Sequence, residues 1–231
     1  MAKIKSLFST GLVASALLVL GNQAYAATVV LENFENGANG WTNSSRTGVS
    51  AIASGGHDNG AYIRTVNDLA TNSSAFGSAL IQFRCADGCS DNDFQGDWLG
   101  QGVVALNFWF RHDAAVTLQP YIRTPRLPGN SPAASAIIDT AVAPNEWTRL
   151  VLEIDPNNPE FSSFGGGNYE DIFSAVSRLQ PGVIFGVGES YSEANVTFDI
   201  DDVSLTTVPI PAAVWLFGSG LGLLGWMRRK A

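Results

Sequence analysis

Six side chains near the middle of the sequence have the types and spacing of a polar recognition surface. In Val104 to Arg111, Val104, Leu106, Phe108 and Phe110 fall on one side of an extended chain, which leaves Asn107, Trp109 and Arg111 on the other. In Leu118 to Arg123, Leu118, Pro120 and Ile122 alternate in the same way with Gln119, Tyr121 and Arg123. If His112 to Val116 forms a hairpin turn, both polar sets share one face of one sheet, with Trp109 across from Gln119 and Asn107 across from Tyr121. An indole and a phenol framed by guanidinium and amide groups suit sugar binding, because aromatic faces take C–H surfaces and planar polar groups take hydroxyls. The alternative is that a loop or a helix covers this face and Trp109 belongs to the core.

A second constellation is acidic. In Asn195 to Leu205 the apolar residues are Val196, Phe198 and Ile200, then Val203 and Leu205, so the inward phase switches at Asp201-Asp202. Such a switch predicts a β-bulge that turns these carboxylates outward beside Asp199. Clustered carboxylates disfavour one another's charge unless a counter-ion is present. If the first and last strands are neighbours, Glu32 or Glu35 reaches the same place. Glu32, Glu35, Asp199, Asp201 and Asp202 are therefore the candidate ligands of a structural Ca2+ ion, against the alternative of solvated edge carboxylates. Asp91 to Asp97 is a weaker candidate, with Gln95 at the third ligand position and Gly102 where a bidentate Glu belongs.

Catalytic constellations are not evident. His57 and His112, the two histidines, stand in separate contexts, in no zinc spacing and beside no nucleophile elbow. Glu32, Glu146, Glu153 and Glu189 could each be imagined in a glycosidase pair, but geometry defines such pairs and chain spacing does not. Gly165-Gly166-Gly167 lacks the lysine and strand of a phosphate loop and reads as a lead-in to a helix.

The elements that must position these residues are strands. Short alternating runs separated by Gly, Asn, Ser, Asp and Pro predict strands at Thr28–Leu31, Ala61–Val66, Ser78–Arg84, Val103–Arg111, Val116–Thr124, Ala134–Ile138, Thr148–Ile154, Val183–Gly188 and Asn195–Leu205. Ile172, Val176 and Leu179 predict one short helix over Tyr169–Leu179, capped by Asn168. The expected fold is all-β: a jelly-roll β-sandwich with one short helix, over residues 27–207. Trp41 and Trp147 read as packing residues, and Trp98 in the acidic loop could serve either role.

Both termini carry targeting features. Lys3 and Lys5, the apolar stretch Leu7 to Leu20 and Ala24-Tyr25-Ala26 form a secretory signal peptide over 1–26. Near the other end an apolar run, Ala212 to Met227, is flanked by Trp215 and Trp226 and followed by Arg228-Arg229-Lys230. It predicts a transmembrane helix within 208–231 with a cytoplasmic C-terminus; a buried core helix is the alternative. Five of the 13 basic residues lie in these segments, which leaves eight arginines, no lysine and all 21 carboxylates between them, a formal charge of −13. That balance opposes a nucleic-acid partner, since phosphates require Lys and Arg. In an oxidising exported compartment Cys85 and Cys89 read as a small disulfide loop that shapes the acidic segment after it.

The tail, with Pro209-x-Pro211, Trp215-Leu216-Phe217-Gly218-Ser219-Gly220 and Arg228-Arg229, resembles the PEP-CTERM sorting signal, with Ile210 where Glu commonly stands. The resemblance implies export in a Gram-negative bacterium, a transient inner-membrane anchor and processing by an exosortase. It also implies delivery to the cell surface or the exopolysaccharide matrix. Phe34-Glu35-Asn36-Gly37, Gly40-Trp41 and Phe198-Asp199-Ile200-Asp201-Asp202-Val203-Ser204-Leu205 resemble the boundaries of galactose-binding-like jelly rolls. Phe94-x-Gly96-Asp97, the strand Ala105 to Arg111 and the run from Trp147 onward are similar to laminin-B-type domains. These resemblances imply a non-catalytic domain that binds carbohydrate or matrix. A polysaccharide-degrading or modifying enzyme on the same sandwich and a purely structural matrix component remain the alternatives.

Overall fold

Alternating apolar and polar residues pair into two antiparallel sheets. A computed structural model of the chain describes residues 27–72, 78–129, 131–185 and 190–208, which belong to one compact unit. The predicted signal peptide, the prolines Pro209 and Pro211, the apolar tail and Arg228 and Arg229 lie outside the described residues. Among the described residues no helix is long and apolar enough to cross a membrane.

The strands, in chain order, are β1 (Ala27–Glu32), β2 (Ser50–Ile52), β3 (Tyr62–Asn72), β4 (Ser78–Ile81), β5 (Val103–His112), β6 (Gln119–Pro125), β7 (Ala133–Ile137), β8 (Thr148–Glu153), β9 (Phe161–Phe164), β10 (Gln180–Phe185) and β11 (Ser190–Thr207). One sheet has the order β2-β3-β11-β5-β8, and the other β4-β10-β6-β7-β9. The long β11 is shared along its length: Ser190–Ile200 pairs with β3, and the stretch from Val203 to Thr207 pairs with β1 on the same edge. First and last strands are therefore neighbours, as expected. The chain passes repeatedly from one sheet to the other, and each sheet buries its inner face against its partner.

The core is rich in aromatic residues. Leu106, Phe108 and Phe110 of β5 meet Phe83, Ile122, Val183, Phe198 and Ile200 between the sheets. Phe110 packs edge-on against Phe83 at 6.5 Å and obliquely against Phe198 at 6.1 Å. Burial of each such side chain contributes about 1.5–3 kcal/mol. Trp41 and Trp98 are fully buried, Trp98 against Phe173, whereas Trp147 is half-buried on an outer face.

Three expectations are corrected. β2 and β9, three and four residues long, were not anticipated, because such short runs show no period. The helix, α1, ends at Phe173 rather than Leu179. Asn168 caps it as expected, its side chain accepting from the Asp171 amide at 2.8 Å. Val176 then bridges Gly96 and Arg126, and Leu179 bridges Cys85, so strand contacts override the helical spacing. The third correction concerns the hairpin. Residues after His112 do not turn back: Ala114 and Leu118 are buried, Leu118 bridges Val142, and β6 joins the other sheet.

The Cys85–Cys89 disulfide is formed. Ser90, Asp91 and Asn92, immediately after it, all adopt left-handed backbone conformations. Ser90 thereby sits where its hydroxyl accepts from the Trp41 indole at 3.0 Å and donates to Glu32 at 2.7 Å.

Candidate binding faces

Since β5 and β6 lie in different sheets, the six predicted ligand residues divide between two outer faces. Asn107, Trp109 and Arg111 are on the outer face of the six-stranded sheet, where Trp109 stands opposite Asp201 of β11 and Arg149 of β8. Gln119, Tyr121 and Arg123 are on the outer face of the five-stranded sheet, opposite Ile184, Gly182 and Gln180 of β10.

On the first face each polar group is answered by a neighbour. Arg64 donates to Asp199 Oδ1 at 2.7 Å through Nε and to Oδ2 at 3.0 Å through Nη2, while Arg111 donates to Oδ2 at 2.9 and 2.7 Å. This carboxylate is 2% exposed and holds the Arg64 guanidinium above its usual range. Arg111 also lies over the Trp147 ring at 4.4 Å, and Trp147 packs edge-on against Tyr62. Asn107 donates to Thr206 and accepts from Arg149. Trp109 is half-buried beneath the ring of His57, stacked at 4.3 Å. The loop from Gly55 to Gly60 thus covers part of this face, while Trp109 stays outside the core.

The predicted bulge is present. Between Asp201 and Ser204, β11 carries one residue more than β5 does between Trp109 and Asn107, and Asp202 has a positive φ of 43°. Ile200 and Val203 consequently both face the core. The five candidate metal ligands, however, separate into three places. Asp199 is held by two arginines. Glu32 accepts from Phe34, Asn39 and Ser90 beside a polar cavity of about 420 Å3 that Asp91 and Asp93 also line. Glu35, Asp201 and Asp202 remain together, joined by His57 and Asp58, which the sequence reading missed.

At that corner His57, Asp58 and Asp201 each offer a ligand atom within 4.8 Å of the others. Asp201 accepts from the His57 amide at 3.0 Å and lies 3.2 Å from its Nδ1, and Asp202 lies 3.5 Å from its Nε2. Burial pushes Asp201 up against the opposing pull of these hydrogen bonds. Burial and then the Asp201 charge push Asp202 up as well. The donors are mostly carboxylate oxygens, the ligands of a hard divalent cation, with one imidazole among them.

The second face is arranged differently. Across its strands Arg84, Gln180, Arg123, Ser135 and Ser162 form one row: Gln180 and Ser135 flank Arg123, Ser162 follows Ser135, and the Cys85–Leu179 bridge places Arg84 beside Gln180. Arg123 donates to Gln180 Oε1 at 3.0 Å and lies 5.2 Å over the ring of Phe164, which is 40% exposed. Tyr121, buried to 9% exposure, is pushed up by burial, against the opposing pull of a hydrogen bond with Ser135. Beside it Gly182 leaves the floor flat, because a Cβ there would collide with the Leu80 carbonyl. Gln119 donates to the Ile138 carbonyl. Arg84, Gln180, Phe164 and Arg178 were missed by sequence reasoning, since nothing local marks strands β9 and β10 as neighbours of this face.

The two histidines are also placed. His112 is buried with Nε2 3.0 Å from the Val142 carbonyl, and burial pushes its pKa down. His57 serves the acidic corner described above.

No protein-family model matches the sequence, and no curated protein matches it either. Solved structures similar to it in backbone include the CBM22-1 and GH10 modules of endo-1,4-β-D-xylanase 10B from Clostridium thermocellum, complexed with xylohexaose. That similarity is 18% in identity, spans 78% of this chain and 28% of the xylanase chain, and has a TM-score of 0.48. The CBM22-2 xylan-binding domain of a Paenibacillus barcinonensis xylanase is 13% identical over 77% of this chain and 98% of its own, with a TM-score of 0.46. The L4b domain of human laminin α-2 is 12% identical over 65% of this chain and 71% of its own, with a TM-score of 0.38. The two-sheet architecture itself follows from this chain's own strand pairing.

Proposed function

We propose that this is an exported, surface-sorted protein whose β-sandwich binds a polysaccharide of the cell surface or matrix without chemically altering it. The observation that carries this reading is the row Arg84-Gln180-Arg123-Ser135-Ser162 with Phe164 beside it. It sets planar hydrogen-bonding groups and an exposed ring on a rigid sheet, over about 19 Å at the usual strand spacing. An extended glycan presents both C–H faces and hydroxyls to such a surface, and a sheet holds the groups in register without ordering cost. The signal peptide and the sorting tail account for delivery: export, a transient inner-membrane anchor, and processing near Pro209 and Pro211 by an exosortase.

A structural calcium ion belongs to the same proposal, now drawn in to Glu35, Asp58 and Asp201, with Asp202 beside them. What supports it is the placement of His57, Asp58 and Asp201 with ligand atoms within 4.8 Å of one another, beside Glu35 and Asp202.

Screening the full chain against a glycan array that includes the producer's own polymer tests the function. Binding should disappear in Phe164→Ala and persist in Trp109→Phe, whose indole is engaged by His57. No binding to any glycan would sink the reading, and release of reducing ends from the bound polymer would replace it with an enzymatic one.

A further inference from the structure

Charge is distributed very unevenly over this domain. Of its eight arginines, Arg46, Arg84, Arg123 and Arg178 act on one another electrostatically, although the residues between the two targeting segments carry a formal charge of −13. Strand register explains the convergence. Arg84 and Arg123 stand two strands apart in one row, about 10 Å at the usual spacing, and Arg178 enters from the segment leading into β10. Arg46 comes from the turn whose flank, Thr42, bridges Arg84.

Arg178 and Arg123 each donate to a neutral acceptor. Arg178 donates to the Gly129 carbonyl at 2.6 Å, and Arg123 to Gln180 at 3.0 Å. Among the described residues neither Arg84 nor Arg178 forms an ion pair, and Asp87 is the carboxylate that acts on both. Burial and then the other arginines push Arg84 and Arg178 below the usual arginine range. Arg84 and Arg178 are half-buried and repel one another, and an anion laid across them would relieve the repulsion.

Resting on the glycan-binding reading above, we infer that the polymer held on this face is an acidic polysaccharide carrying carboxylate groups. Arginine forks match carboxylates bidentately, and Gln180, Ser135 and Ser162 supply partners for the hydroxyls between them. Arg84 and Arg123 are spaced along one row with Arg178 beside it, which suits charge repeated along a chain. The negative charge elsewhere on the domain is screened beyond about 8 Å at physiological ionic strength, so the local sign governs contact.

Calorimetric titration of the full chain with polygalacturonate, with the same polymer fully methyl-esterified and with neutral xylan tests the inference. The acid form should bind about tenfold or more tighter than its ester, and added salt should weaken it. The double variant Arg84→Gln/Arg178→Gln should unfold at the parent temperature and lose the preference. Equal affinity for acid and ester, with binding lost in Phe164→Ala, would overturn the carboxylate assignment and leave glycan binding standing. Tighter binding of dextran sulfate or of single-stranded DNA would overturn it too, as would acid-polymer binding unchanged in the double variant. Failure to bind acidic and neutral polymers alike would remove both readings.

Discussion

The two outer faces of the sandwich use the same side-chain types to different ends. On the six-stranded sheet, Arg64 and Arg111 close on the buried Asp199, and Trp109 is covered by His57. On the five-stranded sheet, Arg84, Arg123 and Arg178 are gathered with amide, hydroxyl and aromatic neighbours and a surplus of positive charge. A guanidinium that has found its carboxylate inside the fold contributes to stability and has little left to offer a ligand. One held among other guanidiniums costs stability and retains the capacity to bind.

Asp199→Ala would leave two guanidiniums partly buried without their anion. It should destabilise the domain by about 3–5 kcal/mol in denaturant titration. A loss below about 1 kcal/mol would show that the first face is no more structural than the second.

Next in size is the effect of the calcium ion proposed at Glu35, Asp58 and Asp201. Calcium at a hundredfold excess over its dissociation constant should stabilise the fold by about 2.7 kcal/mol. An unchanged melting temperature in chelator would remove the ion from the account. In chelator the raised aspartates bind protons more tightly folded than unfolded, so stability should fall as pH rises from the ordinary aspartate range through their raised values. Calcium should abolish that fall.

Acid sensitivity should also come from the six-stranded side, because arginines do not titrate in the accessible range. His112 ends β5 and is held neutral by burial, its pKa pushed down. Its contribution is fully present above the ordinary histidine value of about 6.5 and is lost as pH falls below that towards its depressed folded value. Melting curves at stepped pH values should show this loss, and His112→Gln should flatten it.

The smallest effect belongs to the second face. Arg84→Gln should shift stability by no more than about 0.5 kcal/mol, towards higher stability if anything, since it relieves repulsion among like charges. A large loss in thermal unfolding would mean that this face, too, is structural.

How much of this was legible depended on the range of the interaction. The β11 bulge could be read from five apolar residues because the two-residue period of a strand is local. The capping of α1 by Asn168 was legible for the same reason, whereas its end at Phe173 was not, since strand contacts from Gly96 and Cys85 decide it. Alternation showed that Trp109 and Tyr121 point away from the core, but assigns a side chain to a face and never to a sheet. The pairing of Leu118 with Val142, and so the passage of β6 into the other layer, left no local trace. His57 and Asp58 lie some 140 residues from the aspartates they join, and the glycine-rich turn around them was the available signal.

Composition, period and short-range spacing alone point to an acidic β-sandwich over residues 27–207, with a bulge at Asp201-Asp202 and a disulfide at Cys85 and Cys89. Which charges meet is a matter of tertiary contact: Asp199 with two arginines, Asp201 and Asp202 with His57 beside Glu35 and Asp58, and four arginines with one another. Such encounters are set by strand order and register, which follow from the packing of the whole core and from no segment alone.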